Sequence, residues 1–199
     1  MREIFEEKST RDAILDATDL LLARYGYKKM TIDDLANEVG IGKGSVYLHF
    51  SSKEEIALSH IDRIIDRLKV SFQLIAEKKS SHDERLREML LERVLSRFDI
   101  IQHYSQSLNE LLVNLRPKLL ERRKRYFDEE VYLLGKVVLE GQKLGQFAEG
   151  DAFDLAKTLV TATNSFLPYS LSAFELGDRD DLMTRAEKTV DLLIKGLAR

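Results

Sequence analysis

The chain of 199 residues contains no cysteine and no tryptophan, and only 2 prolines. Without cysteine there is no disulfide framework, no thiolate metal site and no cysteine nucleophile. That usage fits a reducing, cytoplasmic setting. The opening residues, MREIFEEKSTRD, have none of the apolar run that a secretory leader needs, so no signal peptide is expected. Long hydrophobic runs are scarce throughout. The nearest approach to a membrane span, residues 153–174, is interrupted by Asp154, Lys157, Asn164 and Pro168, and reads as a buried packing helix with a proline kink. No membrane partner is expected. Neither sign of charge dominates: 31 Lys+Arg stand against 34 Asp+Glu, a formal net charge of −3. This argues weakly against a bulk polyanion binder, but nucleic-acid recognition needs a basic face and not a basic average.

What is present is 44% hydrophobic and 33% charged residue content, enough for a real core and too apolar for a disordered chain. The apolar positions recur at helical spacing. Ile14, Ala17, Leu21 and Tyr25 form the first stripe, with Ser9 or Thr10 as its cap and Gly26 as its stop. Thr31 caps a short helix that Gly40 ends, and a second short helix runs to about Phe50. Ser51 and Glu54 have capping-box spacing for a long helix from Lys53 to Lys78. Further helices are expected from Asp83, from Pro117 in a first turn towards Gly141 or Gly145, from Phe153 past Asn164, and from Leu182 to Leu197. The fold class read from this pattern is all-α, with about nine helices.

Residues 31–50 read TIDDLANEVGIGKGSVYLHF, two short helices joined at Gly40 with Leu35, Val39, Ile41 and Val46 apolar. That is the pattern of a helix-turn-helix. Ala36 is small where crossing helices must approach, and Gly40 supplies the positive φ of the turn. The second helix carries Lys43, Gly44, Ser45 and Tyr47 at its N-terminal end, where a recognition helix meets base edges in the major groove. Gly44 lets the backbone come close to DNA. Lys43 can donate to guanine O6/N7 or to phosphate. Tyr47, His49 and Lys53 are expected to face the sugar-phosphate backbone, with Thr31 adding a phosphate contact at a helix N-terminus.

The run from Ile14 to Glu55 resembles the DNA-binding domain of the TetR (tetracycline repressor) family of bacterial regulators. The resemblance is carried by Ile14, Ala17, Gly26, Tyr27, Thr31, Ile32, Leu35, Ala36, Gly40, Gly44, Ser45, Tyr47, Phe50, Lys53 and Glu54. It implies a DNA-binding domain at residues 1–52 and a helical effector-binding and dimerisation domain at 53–199. It also implies a homodimer through the last two helices, about 151–172 and 179–198, whose apolar stripes would otherwise face water. In that family, polar and aromatic residues of the C-terminal helices often line an effector pocket. Phe98, Tyr104, Asn109, Tyr126, Asn164 and Tyr169 are the candidates here, and Tyr132 is a further one. The function expected is a transcriptional regulator, most readily a repressor, that binds a double-stranded palindromic operator and is released by a small-molecule effector. The alternative is a helical ligand-binding or scaffold protein that has lost DNA binding.

Other chemistries fare badly. GIGKGS fails the P-loop pattern because Gly44 follows Lys43, and it lacks the preceding strand of a dinucleotide site. His49, His60, His82 and His103 have no i, i+4 pairing, so no metal site is expected. No nucleophile elbow and no distinctive carboxylate pair is present, so neither catalytic residues nor a cofactor are expected. The run Arg122–Arg125 covers all faces of a helix turn and reads as a solvated segment, with an anion-accepting pocket mouth as the sharper alternative. Residues 1–50 hold seven basic and nine acidic side chains. The bases Lys28, Lys29, Lys43, His49 and Lys53 nevertheless gather around the proposed reading edge.

Overall fold

The computed structural model describes residues 9–103, 108–167 and 176–199. Within them lie eight α-helices: α1 (Thr10–Lys29), α2 (Ile32–Val39), α3 (Lys43–His49), α4 (Lys53–Ala76), α5 (His82–His103), α6 (Leu108–Lys143), α7 (Ala152–Thr163) and α8 (Arg179–Leu197). A short 3₁₀ turn, Asn164–Phe166, follows α7. The described residues form no strand beyond an isolated bridge between Phe147 and Ala198. No helix among them is long and apolar enough to cross a membrane. The all-α reading holds.

The ends of these helices follow local chemistry. The Ser9 hydroxyl accepts from the Asp12 amide at 3.1 Å to open α1. Gly26 leaves helical geometry at φ 77°, so the regular part of α1 stops where the glycine stands and a single further turn reaches Lys29. The Asp151 carboxylate accepts from the amides of Phe153 and Asp154, opening α7. Two expectations were displaced. The hydroxyl that caps α4 is that of Ser52, which accepts from the Glu55 amide at 3.1 Å, while the Glu55 carboxylate takes the Ser51 amide at 2.8 Å. In a serine doublet, the residue next to Lys53 meets the third amide of the helix. Pro117 lies inside α6 and not in its first turn, because the helix already begins at Leu108. It tolerates one missing backbone bond there. Pro168 lies outside the described residues.

The chain packs as two compact units, residues 1–64 with 104–119, and residues 65–103 with 120–199. The packing division thus falls at Ile64, inside α4. In the first unit Ile14, Leu15, Leu22, Leu35, Val46, Phe50 and Ile56 are buried. Arg63 reaches Asp16 at 2.7 Å and His60 Nε2 lies 3.4 Å from Asp19, so α4 is tied to α1. The core of the second unit joins Phe72 of α4, Leu86 and Leu90 of α5, Leu134 and Val138 of α6, Ala156 and Val160 of α7, and Val190 of α8. The apolar stripes of α7 and α8 are therefore covered within one chain. The expectation that they would face water without a partner does not hold.

Gly141 is not a helix stop but an interior residue of α6. A Cβ there would stand 2.3 Å and 2.4 Å from two ring carbons of Phe147, which is itself buried. Gly141→Ala is therefore expected to destabilise the second unit by about 1–3 kcal/mol through overpacking. Urea denaturation of the full chain checks this, and an unchanged midpoint would contradict it.

Candidate nucleic-acid interface

The site begins with the cap of α2. The Thr31 hydroxyl accepts from the Asp34 amide at 3.1 Å, and the Asp34 carboxylate accepts from the Thr31 amide at 3.0 Å, a complete capping box. The same carboxylate takes the Thr31 hydroxyl proton at 2.7 Å. Thr31 therefore spends its side chain inside the cap before any phosphate arrives. At the other end Gly40 sits at φ 76°, ψ 32°, and the Ile41 amide reaches back to the Ala36 carbonyl at 2.9 Å. This left-handed closure needs glycine. It turns the chain into α3 while Leu35, Ala36 and Val46 stay buried.

With Val46 turned inward, the rest of α3 is displayed. Lys43, Gly44, Tyr47, Leu48 and His49 are exposed and Ser45 is half-buried. Leu48, 84% exposed, was missed by the sequence reading, yet helical spacing from Gly44 places it on the same face. Nothing in the chain lies within 4 Å of a Cβ added at Gly44. The fold itself thus makes no demand for glycine in this first turn, although glycine costs a helix about 1 kcal/mol.

Lys43 Nζ donates to Asp33 at 2.9 Å. That hydrogen bond, together with the attraction of the same carboxylate, holds the ammonium above its usual pKa, so it stays charged. A fully exposed pair of this kind is weak and screened by salt, and so is readily exchanged for another anion.

Lys53, expected to face the sugar-phosphate backbone, makes its contacts here within the chain. Its ammonium donates to the carbonyls of Tyr27 at 3.0 Å, Met30 at 3.1 Å and Lys28 at 3.4 Å, and lies 4.6 Å from the centre of the Tyr27 ring. It closes the C-terminus of α1, where carbonyls lack helical partners and a cation is favoured. Any phosphate would compete with these contacts.

Of the pocket candidates, Phe98 on α5 and Tyr126 on α6 are buried, and the Arg125 guanidinium lies 5.3 Å from the Tyr126 ring centre. Asn164 accepts from Arg93 Nη2 at 2.6 Å. Tyr104 and Tyr169, and the side chain of Asn109, lie outside the described residues. Tyr132 is exposed and stacks on Phe153 with ring centres 6.0 Å apart, so it is not a core residue. Sequence reasoning missed the buried cluster of Arg93, Arg97, Glu130 and Thr163 that Asn164 adjoins. An open groove of about 640 Å³ lies between α4 and α6. Lys69, Lys124 and Arg125 line it together with Glu121, Asp128 and Glu129, so the charges of these residues balance. Among the described residues no group of three or more His, Asp or Glu side chains is placed to hold a metal.

Residues 14–59 match bacterial regulatory proteins of the tetR family. The chain is similar to the fatty acid metabolism regulator protein of Bacillus subtilis, at 24% identity over 92% of this chain and 93% of that one. It is 32% identical over 94 residues to the negative transcriptional regulator of the biofilm operon icaADBC, IcaR, of Staphylococcus aureus, covering 47% of this chain and 49% of the relative. Its fold resembles a transcriptional regulator from Cytophaga hutchinsonii, with a TM-score of 0.77, 22% identity, and coverage of 94% and 98% of the two chains.

The cap that Lys53 forms is expected to stabilise the first unit. Replacing it in Lys53→Met, which keeps the apolar stem, should cost about 1.5–3 kcal/mol, the range for hydrogen bonds to a charged group. Chemical denaturation of the full chain measures this. A change near zero would remove the structural role.

Proposed function

The chain belongs to the tetR family of bacterial regulatory proteins and is a DNA-binding transcriptional regulator; we propose that it is a repressor that grips a palindromic operator as a homodimer and lets go when a small-molecule effector binds. The observation that carries this reading is the displayed N-terminal turn of α3. It holds a charged, exchangeable lysine, an open glycine and two large exposed side chains on one short helix. In this proposal Lys43 leaves Asp33 for guanine O6/N7 or a phosphate. Gly44 admits the DNA backbone, and Ser45, Tyr47 and His49 contact sugar and phosphate. Leu48 meets a thymine methyl group. Thr31 sets the end of α2 against a phosphate, and Lys53 holds the frame. The functional division proposed remains a DNA-binding part at 1–52 and an effector-binding and dimerisation part at 53–199.

One reading helix spans only a few base pairs. Specific binding needs two, spaced about 34–36 Å apart on successive major grooves, which favours a twofold dimer. Since the apolar stripes of α7 and α8 are used inside the chain, a dimer through these helices would use their outer faces. Phe153 and Leu192 are the large apolar residues exposed there, Leu192 at 71%. Because α4 is continuous from Lys53 to Ala76, a change in its tilt is the proposed route from effector to reading helix. Its size is limited by the differential affinity of the effector for the two states. The rival, a helical ligand binder without DNA affinity, is disfavoured by the intact, exposed reading face.

A gel shift against DNA from upstream of the chain's own coding region tests the reading. A salt-sensitive, sequence-preferring band is expected, and its absence would favour the rival. Lys43→Ala should weaken specific binding by about 1–3 kcal/mol. Gly44→Ala should stabilise the fold by about 0.5–1 kcal/mol while weakening DNA binding. Gain of both stability and affinity would refute the role of Gly44. For assembly, Leu192→Glu should shift the light-scattering mass from dimer towards monomer. A dimer that persists unchanged would move the interface elsewhere.

A further inference from the structure

Two adjacent acids stand in the first turn of α2, and the fold puts them to different uses. Asp34 is spent in the capping box with Thr31. Asp33 has no part in that box. Its carboxylate reaches across the turn to α3 and accepts from Lys43 Nζ at 2.9 Å. Both side chains are displayed, Lys43 at 51% and Asp33 at 63% exposure.

The pair does little for the fold. An ion pair this exposed contributes little stability. The joint between α2 and α3 is already held by buried Leu35, Ala36 and Val46 and by the left-handed Gly40. Asp34 already supplies an acid at the positive end of α2. What Asp33 adds is a carboxylate beside the lysine that α3 displays. Against a polyanion that is a cost. Its charge repels phosphate, and once Lys43 turns to the DNA its oxygen loses a donor. The cost is offset where the DNA supplies a donor in return.

In the major groove cytosine offers a donor at N4 and adenine offers one at N6. Cytosine N4 lies beside the acceptors O6 and N7 of its paired guanine. The Lys43–Asp33 pair is a donor beside an acceptor, and a G·C pair presents the complement. One exchange then satisfies all four groups: Lys43 passes from Asp33 to guanine, and Asp33 accepts from cytosine N4. An A·T pair also has a donor, but its purine gives the ammonium one acceptor where guanine gives two. We propose that Asp33 is a specificity-determining residue, which reads the cytosine of the G·C pair whose guanine Lys43 takes. This inference rests on the assignment of Lys43 to DNA above, and names the base that its partner selects.

The test begins with duplexes selected from a random pool by the unaltered full-length chain. Affinities for a selected site and for a random duplex are then compared at constant salt. Asp33→Asn should bind the selected site roughly tenfold more weakly, and random DNA equally well or better, since an acid has been removed. A carboxylate that merely restrains Lys43 gives the opposite sign, tighter binding to both. That result overturns the proposal. Glu38→Gln removes another exposed acid of α2 and should leave the preference for cytosine untouched. A second measurement needs no variant to fold. N4-methylcytosine keeps the pair with guanine but leaves no proton for the groove. In place of the selected cytosine it should cost the unaltered chain roughly tenfold, and Asp33→Asn little. Equal loss in both overturns the contact. Sequence-preferring binding that Lys43→Ala weakens and Asp33→Asn does not sinks only this inference. No sequence-preferring binding at all sinks the regulator, and this inference with it.

Discussion

Three backbone carbonyls, those of Tyr27, Lys28 and Met30, converge on the ammonium of Lys53, and the placing of α3 depends on that convergence. The carbonyls close α1 and the lysine opens α4. Between them run only α2, α3 and three short connections. With both ends of that stretch held by one cation, the short helices cannot drift, although α3 is too short to be stable alone. The capping box at Thr31 and the left-handed Gly40 then set the two internal corners. Rigidity from the frame is what frees α3 to display Lys43, Gly44, Tyr47 and Leu48 instead of burying them.

The second unit uses a different balance. Its helices α7 and α8 turn their apolar stripes inward against α5 and the rest of the core, so the unit is folded by its own chain. What lies on the outer faces of these two helices is mostly polar, with Phe153 and Leu192 as the large apolar exceptions. An interface built there would be smaller in apolar area than one that completes a core, and so more responsive to conditions. The buried Arg93–Arg97–Glu130 cluster is the opposite case, an electrostatic feature placed where water cannot settle it.

The helical class, the α2–α3 motif and the exposed lysine and glycine of α3 were legible in the sequence because each is local. Stripes recur within a helix, caps act within three residues, and glycine at a turn reports its own φ. The features that were not legible depend on distant partners. Lys53 is 26 residues from Tyr27, and its use as a cap has no local signature. Arg93 and Glu130 are 37 residues apart, and each reads in isolation as an ordinary solvated charge. Gly141 resembled a helix stop because the ring that forbids a side chain there comes from the following turn. Leu48 was legible in principle, since the spacing from Gly44 was present, but it was not singled out with the other residues of α3. The cap of α4 fell one residue away because two adjacent serines offer the same chemistry.

The central claim is that DNA is read by the exposed turn of α3 mounted on the Lys53-held frame. Backbone amide chemical shifts, followed while the full chain is titrated with DNA from its own upstream region, test this most directly. The account predicts the largest changes at residues 42–49 and around Thr31. Changes concentrated beyond residue 65, with α3 unmoved, would contradict it.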